Sequence, residues 1–314
     1  MSNPFETPVL FLIFNRPDTT QQVFNRIKQI KPKYLFIAAD GPRLAMGGEN
    51  EKCNKTRDII KQIDWDCEVK TLFRKNNLGC GLAVSSAITW FFSYVEEGII
   101  LEDDCLPDLS FFPFCKELLF KYGNVENIMH ISGSNFQNGI IRGPGSYYFS
   151  NYIHIWGWAT WKRAWCKYDY AMKDFYPTFN AGRLDHVFQN KSEKKYWESI
   201  FIKTVAMQTN TWDYQWAYAN WKNKGISIIP NCNLVVNLGL NDNSSHAFLN
   251  DSFKNNRGLN DIQFPIKHPP LEIDFVADNF TFINTFSHSL QRLSRLLKEN
   301  GFVRIAKYAI KRFG

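Results

Sequence analysis

Residues 8–14, PVLFLIF, are apolar without a break and stand between Pro8 and Pro17. A short run with no polar alternation predicts a strand buried on both faces. The next stretch, NRPDTTQQVFNRIKQI, changes period: Val23, Phe24, Ile27 and Ile30 recur at helical spacing, with Asp18 or Thr19 as N-cap. YLFIAAD predicts a second strand, closed by Gly41-Pro42; TRDIIKQI a helix; CEVKTLF a third strand. NNLGCG is a glycine-rich turn into a helix over roughly 82–95, GIILED a fourth strand, and IMHISG a fifth after a helix from about Ser110 to Gly123. Apolar strands alternating with helices predict a mostly parallel α/β sheet covered on both faces.

The second half reads differently. Residues 143–169 are dense in aromatics and glycines, and a helical region follows to about Gln208. TNTWDYQWAYANWKNKG predicts a helix containing Asp213, ISIIPNCNLVVNLG short strands, and LNDNSSHAF a loop. The stretch HPPLEIDF reads as a linker, separating a domain over 1–270 from a tail over 271–314.

Charge sharpens this division. The net charge is +7, but seven basic residues and one acid fall between Phe286 and Gly314, so the rest of the chain is nearly neutral. A nucleic-acid enzyme would carry its positive charge around the cleft, so no nucleic-acid partner is expected. Seven cysteines, an odd number, without a CxxC pair or zinc spacing, point to a reducing, cytoplasmic setting. No run approaches the ~18 apolar residues of a membrane span, and the N-terminal segment lacks the basic region and cleavage site of a leader.

In parallel sheets ligands bind at the carboxyl ends of the strands. Those ends read Asn15-Arg16, Asp40-Gly41, Arg74 to Gly79, and Glu102-Asp103-Asp104. Three adjacent carboxylates beside a buried strand repel one another unless a cation or hydrogen bonds compensate. A hard divalent ion, Mn²⁺ or Mg²⁺, held against a diphosphate explains the cluster; helix capping by Asp104 and Asp108 is the alternative.

LEDDCLPDLSFFPFC resembles the Asp-x-Asp region of GT-A-fold glycosyltransferases, a group that includes N-acetylglucosaminyltransferase I and bacterial family-2-like relatives. The resemblance continues in order through FNRPDTT, AADGP, NLGCG, ISGSNF, WGWATWKRAW, WDYQW and SSH, covering roughly residues 8–250. It implies a Rossmann-like GT-A fold with a nucleotide-sugar half over 1–132 and an acceptor half over 133–270. It implies that Asp104 binds the metal, Asp103 the ribose, and that Glu102 steadies the site. Asp40 would contact the base or be a turn residue. Arg16 would pair with phosphates or be solvated, and Asn15 and Arg74 would border the donor. Asn77 and Gly79 would admit the donor close to the backbone or merely open a helix. Asp213, flanked by Trp212 and Trp216, would be the catalytic base, or else a helix N-terminal Asp. His246 would contact metal or phosphate, or face solvent. Trp156 and Trp158 would stack on the acceptor sugar, or fill the core. His130 and His154 read as structural.

The expected activity is metal-dependent, inverting transfer of a sugar from a nucleotide-diphosphate donor, UDP-linked with N-acetylglucosamine leading, to a glycan or glycolipid acceptor of bacterial surface polysaccharide. The basic amphipathic tail has Leu290, Leu293, Leu296 and Leu297 on one face, which suits packing on the domain or membrane contact. After Gly301 a second set, Phe302, Ile305, Ala306, Ala309, Ile310 and Phe313, suits peripheral contact with an anionic inner membrane face. The rival readings are a sugar-nucleotide-forming nucleotidyltransferase, which should carry a Gly-rich basic loop where this chain has NRPDTT, and a non-catalytic glycan-binding or membrane-active protein.

Overall fold

The computed structural model describes residues 5–239 and 258–287. Four parallel strands form one side of an eight-stranded sheet: β1 (Val9–Ile13), β2 (Tyr34–Ala39), β3 (Glu68–Phe73) and β4 (Glu97–Glu102), in the order β3-β2-β1-β4. Between them run α1 (Pro17–Ile30), α2 (Glu49–Asp58) and α3 (Gly79–Phe91). This is the Rossmann-like alternation expected from the pattern. Pro17 fixes the first turn of α1, which buries Val23, Phe24 and Ile27; no side chain caps it, so neither Asp18 nor Thr19 has that role.

The unbroken apolar runs are explained by two coverings. Val9, Phe11 and Ile13 point into a core shared with α1 and with α4 (Phe111–Tyr122). Leu10 and Leu12 point the other way, toward Ala87, Ile88 and Phe91 of α3 and a group of tryptophans. Period-2 geometry with apolar cover on both sides leaves no position for a polar residue. β3 is the exception: as an edge strand it exposes Glu68, Val69, Lys70 and Thr71, and charges at an edge discourage pairing with another chain.

Beyond β4 the order is β8-β6-β9-β7, comprising β6 (Ile128–Ser132), β7 (Tyr147–Ser150), β8 (Trp158–Trp161) and β9 (Ile226–Pro230). β8 lies antiparallel to both β4 and β6, so β6 and the adjacent parallel β9 run in the β4 direction. β7 closes the edge antiparallel to β9. β5 (Cys105–Pro107) pairs antiparallel with β10 (Val235–Asn237) in a separate ribbon. Short helices α5 (Lys162–Trp165) and α6 (Phe175–Asn180) follow β8, then α7 (Lys191–Val205) and α8 (Asp213–Lys222).

The boundary expected at 270 is not where the fold ends. Ile273 bridges to Phe149 on β7, and α9 (Phe275–Thr281) packs beyond it. Asp278 on α9 is fully buried, accepting hydrogen bonds from the Ser150 hydroxyl, the Asn151 backbone N–H at 3.1 Å and Asn151 Nδ2 at 2.9 Å. Residues 271–287 therefore belong to the body, and paired prolines and acids concealed a docked helix behind a linker-like composition. The rest of the basic tail lies outside the described residues. No helix among the described residues is long and apolar enough to cross a membrane.

Candidate active site

The carboxyl ends of β1, β2 and β4 and the start of α3 enclose a cleft of about 420 Å³. Its polar walls are Asn15, Arg16, Asp40, Arg43, Arg74, Asn77, Glu102, Asp103 and Asn210, with Gly79 at the α3 entrance. The expected donor residues are thus brought together.

The acidic group ends β4. Asp103 accepts the Phe14 backbone N–H at 3.0 Å and lies 3.7 Å from Arg16, which pairs directly with Asp104. Burial, with the Asp104 charge beside it, pushes the Asp103 carboxyl up to about 7 despite Arg16. Burial and then the charges of Asp104, Asp103 and Asp213 also raise Glu102 well above the usual carboxylate range. One half-exposed guanidinium therefore serves three carboxylates, an incomplete compensation. The donor set is hard oxygen, which fits Mn²⁺ or Mg²⁺. Among the described residues no three His, Cys, Asp or Glu side chains form a ready cage. The protein's share would be Asp104, the remaining positions suiting water and phosphate oxygens, as Mg²⁺ prefers.

Chain 237–239 covers this group. Leu238 N–H donates to the Asp104 carbonyl at 2.7 Å, and a Cβ on Gly239 would overlap Asp104 Oδ2. Only glycine lets the backbone lie so close.

Of the two roles open to Asp40, the structure shows the turn residue. Its carboxylate accepts the backbone N–H groups of Gly41 at 2.9 Å, Leu78 at 3.0 Å and Gly79 at 3.1 Å, and Asn77 Nδ2 at 2.9 Å. A carboxylate has about four lone-pair sites, and these are committed. Asp40 thus organises the 76–79 turn, and its charge occupies the α3 N-terminus where a phosphate would otherwise sit. The cations of the cleft wall are Arg16, Arg43 and Arg74.

Arg43 and its partners were missed by sequence reasoning. Glu49, 4% exposed, accepts from Arg43 N at 2.6 Å and Nε at 3.0 Å, and from Asn15 Nδ2 at 2.8 Å. The Arg43 guanidinium holds the Glu49 carboxyl down at about 2. Arg57 Nη2 donates to the carbonyls of Asp40 at 2.9 Å and Arg74 at 2.8 Å, tying two strand ends together. Arg43 follows a strand end in DGPR and was findable there; Glu49 and Arg57 sit on a helix with no local signal.

Asp213 is the first residue of α8. Its Oδ1 accepts from Thr211 Oγ1 and from Tyr214 N–H at 2.9 Å, and its charge is close enough to contribute to raising Glu102. Asn210, three residues earlier, is the wall residue contributed by the second half of the chain. Its Oδ1 accepts Gly81 N–H at 2.9 Å. A Cβ on Gly79, where φ is +78°, would stand 2.6 Å from Asn210 Nδ2.

The acceptor tryptophans are corrected. Trp158 has no exposed surface and is stacked on His130 at 5.1 Å and Trp212 at 5.5 Å. Trp156 is 8% exposed and meets Phe136 edge-on at 5.1 Å. Both belong to the core: Trp158 because β8 lies inside the sheet, and Trp156, in the bend before β8, because it packs into the cluster shared with Phe136 and Val235. His130 is structural as expected: burial lowers it to about 3, its Nε2 contacts the His154 carbonyl at 3.0 Å, and Trp216 Nε1 donates to its Nδ1 at 3.2 Å. His246 lies outside the described residues.

No protein-family model matches the sequence, and no curated protein does. Among solved structures, HddC from Yersinia pseudotuberculosis is similar at 12% identity and a TM-score of 0.33, over 55% of this chain and 86% of its own. The 4-diphosphocytidyl-2C-methyl-D-erythritol synthase from Anaerococcus prevotii is similar at 7% identity and a TM-score of 0.29, over 56% and 77%. Mouse xyloside xylosyltransferase 1 is similar at 10% identity and a TM-score of 0.26, over 44% and 55%. Likenesses this weak assign neither family nor activity.

Proposed function

We propose that this protein is a metal-dependent, inverting glycosyltransferase that moves a sugar from a nucleotide-diphosphate donor to a hydroxyl of a glycan or glycolipid. The observation that carries the reading is the under-compensated acidic group at the end of β4, facing Arg16 across the wall of a 420 Å³ cleft. UDP–N-acetylglucosamine is the first donor to test, and bacterial surface polysaccharide at the inner membrane face the first acceptor class.

In this reading Asp104 holds the cation and Asp103 the ribose, while Arg16, Arg43 and Arg74 bind the diphosphate with bidentate geometry. A bound Mn²⁺ or Mg²⁺ supplies charge neutralisation for the departing diphosphate. Arg16 exchanges Asp104 for donor phosphate oxygens. Asp213 Oδ2 receives the acceptor proton, since Oδ1 already holds Thr211 and Tyr214. The acceptor oxygen bonds the anomeric carbon from the face opposite the diphosphate, and nucleoside diphosphate leaves with the electrons of the broken C–O bond. The connection from β1 to α1, Phe14 to Arg16, contains no glycine, which speaks against the nucleotidyltransferase alternative.

The test is nucleoside-diphosphate release from a panel of sugar nucleotides with Mn²⁺. Asp213→Ala should lower it by about 10²–10⁴-fold, and Asp104→Ala should abolish its metal dependence. Pyrophosphate formation from sugar phosphate and nucleoside triphosphate, with the sugar nucleotides left intact, would overturn the reading.

A further inference from the structure

A second cavity, of about 300 Å³, opens on the same edge of the sheet as the cleft, beyond the acidic group. Its walls are the turn after β6, with Asn135 and Asn138; the turn after β9, with Asn231 and Asn233; and the pair Asn260-Asp261. We propose that it is a carbohydrate subsite that holds a neutral sugar unit of an extended acceptor glycan. The proposal rests on the transfer reading for what the glycan is used for, but not for its binding.

Three of these amides are buried and fixed. Asn135 is 5% exposed, donates to the Pro230 carbonyl at 2.6 Å and accepts Gln137 N–H at 2.8 Å. Asn231 donates to the carbonyls of Arg142 at 2.8 Å and Gly145 at 2.9 Å and accepts Arg142 N–H at 2.8 Å. These two account for their own polar atoms and serve as scaffold. Asn233 does not. It is 7% exposed and accepts Asn135 N–H at 2.7 Å through Oδ1, while its Nδ2 donates to no partner among the described residues. That nitrogen is not sealed in the core, and on a residue of the cavity wall it is left to donate to whatever fills the cavity.

The third wall is tied to the same residue, since Asn260 N–H donates to the Asn233 carbonyl at 2.8 Å. Asn260 and Asn138 stand exposed at the rim. Asp261 accepts Gln263 Nε2 through Oδ2 at 2.7 Å, and its other oxygen has no partner among the described residues. The lining holds no Lys or Arg for a phosphate, and its one apolar side chain, Cys232, is too little for a hydrocarbon tail. Amides that donate and accept, with one carboxylate, match the paired roles of vicinal hydroxyls.

Position supplies the link to the active site. β6 and β9 run in the β4 direction and stand two and three strands from it, which is ~10–15 Å at normal strand spacing. Asn237 Nδ2 lies 3.5 Å from Asp104 Oδ1, and Asn233 is four residues earlier, ~13 Å along an extended chain. Both routes give a span that one sugar cannot bridge and a short glycan can. The acceptor would then be an oligosaccharide, its reactive end near Asp213 and a distal unit in the asparagine cavity.

The experiment compares wild type, Asn233→Asp and Asn260→Ala on an array of neutral oligosaccharides and their component monosaccharides, with the thermal shift caused by UDP and Mn²⁺ measured in parallel. Asn233→Asp keeps the oxygen that accepts Asn135 N–H and removes the free donor; Asn260→Ala changes only an exposed rim side chain. Wild type should retain oligosaccharides over monosaccharides, and each variant should bind about tenfold more weakly, the scale of one lost hydrogen bond, with the UDP–Mn²⁺ shift unchanged. Equal retention of monosaccharides, no retention at all, or variants that bind as wild type would each overturn the subsite. Loss of the UDP–Mn²⁺ shift in wild type would instead sink the transfer reading, while the array still decides the cavity.

Discussion

Two buried acidic centres lie at opposite ends of this sheet, and they are built differently. Asp278 has three hydrogen-bond donors aimed at it from Ser150 and Asn151, all belonging to the chain it fastens. Glu102, Asp103 and Asp104 share one backbone N–H, from Phe14, one half-exposed arginine, and two long 3.5 Å contacts to Asp104 Oδ1 from Asn237 Nδ2 and Cys105 Sγ. Burial pushes Asp278 and Asp103 alike up to about 7. The pKa therefore does not tell a structural acid from a functional one; the inventory of donors does. Where the fold supplies every partner, the acid holds the protein together. Where it leaves charges crowded and under-bonded, the group is a candidate for completion by a ligand.

The largest effect that would break this contrast is at Asp278. Asp278→Ala leaves three buried donors unpaired and should lower stability by about 3 kcal/mol in urea unfolding. The sign of its pH dependence follows from the raised pKa: the folded state holds the proton more tightly, so this contribution is full below the ordinary carboxylate range and is lost as pH rises through 7. Asp278→Asn should accordingly look better relative to wild type at about pH 8 than at about pH 5.

The acidic group should respond with the opposite sign. Asp104→Asn removes the neighbour whose charge raises both Glu102 and Asp103, and the metal-free protein should gain about 1 kcal/mol, a stability gain at the expense of function. A loss comparable to that of Asp278→Ala would erase the distinction. Smaller still is Gly79→Ala, which puts a Cβ at positive φ and against Asn210. It should cost about 1–2 kcal/mol and weaken the UDP–Mn²⁺ thermal shift, whereas no change in that shift would remove Asn210 from the donor cleft.

The parallel half of the sheet was legible because strands covered on both faces cannot hide their apolar runs, and strand ends then point to Arg16, Asp103 and Asp104. For Asp40 the sequence offers a base contact or a turn residue; the turn role shows only in the fold, since three of its four donors come from residues 77–79, distant in sequence. For Trp158 the sequence leaves sugar stacking and core filling both open, because a four-residue strand shows no period and nothing local says that β8 lies mid-sheet. Asn210 and Asn233 sit in polar turns whose composition is that of any loop. Only the tertiary arrangement gives them a wall to occupy.

The insertion of β8 also dictates an order of events at the ribosome. β4 and β6 are complete once residue 132 has been made, yet they flank a gap that Trp158–Trp161 must fill. A nascent chain released at that point cannot zip its sheet past β4, because the missing rung has not been translated. The two halves are thus obligate co-folders, and splitting the gene between them should yield fragments that mature only when expressed together.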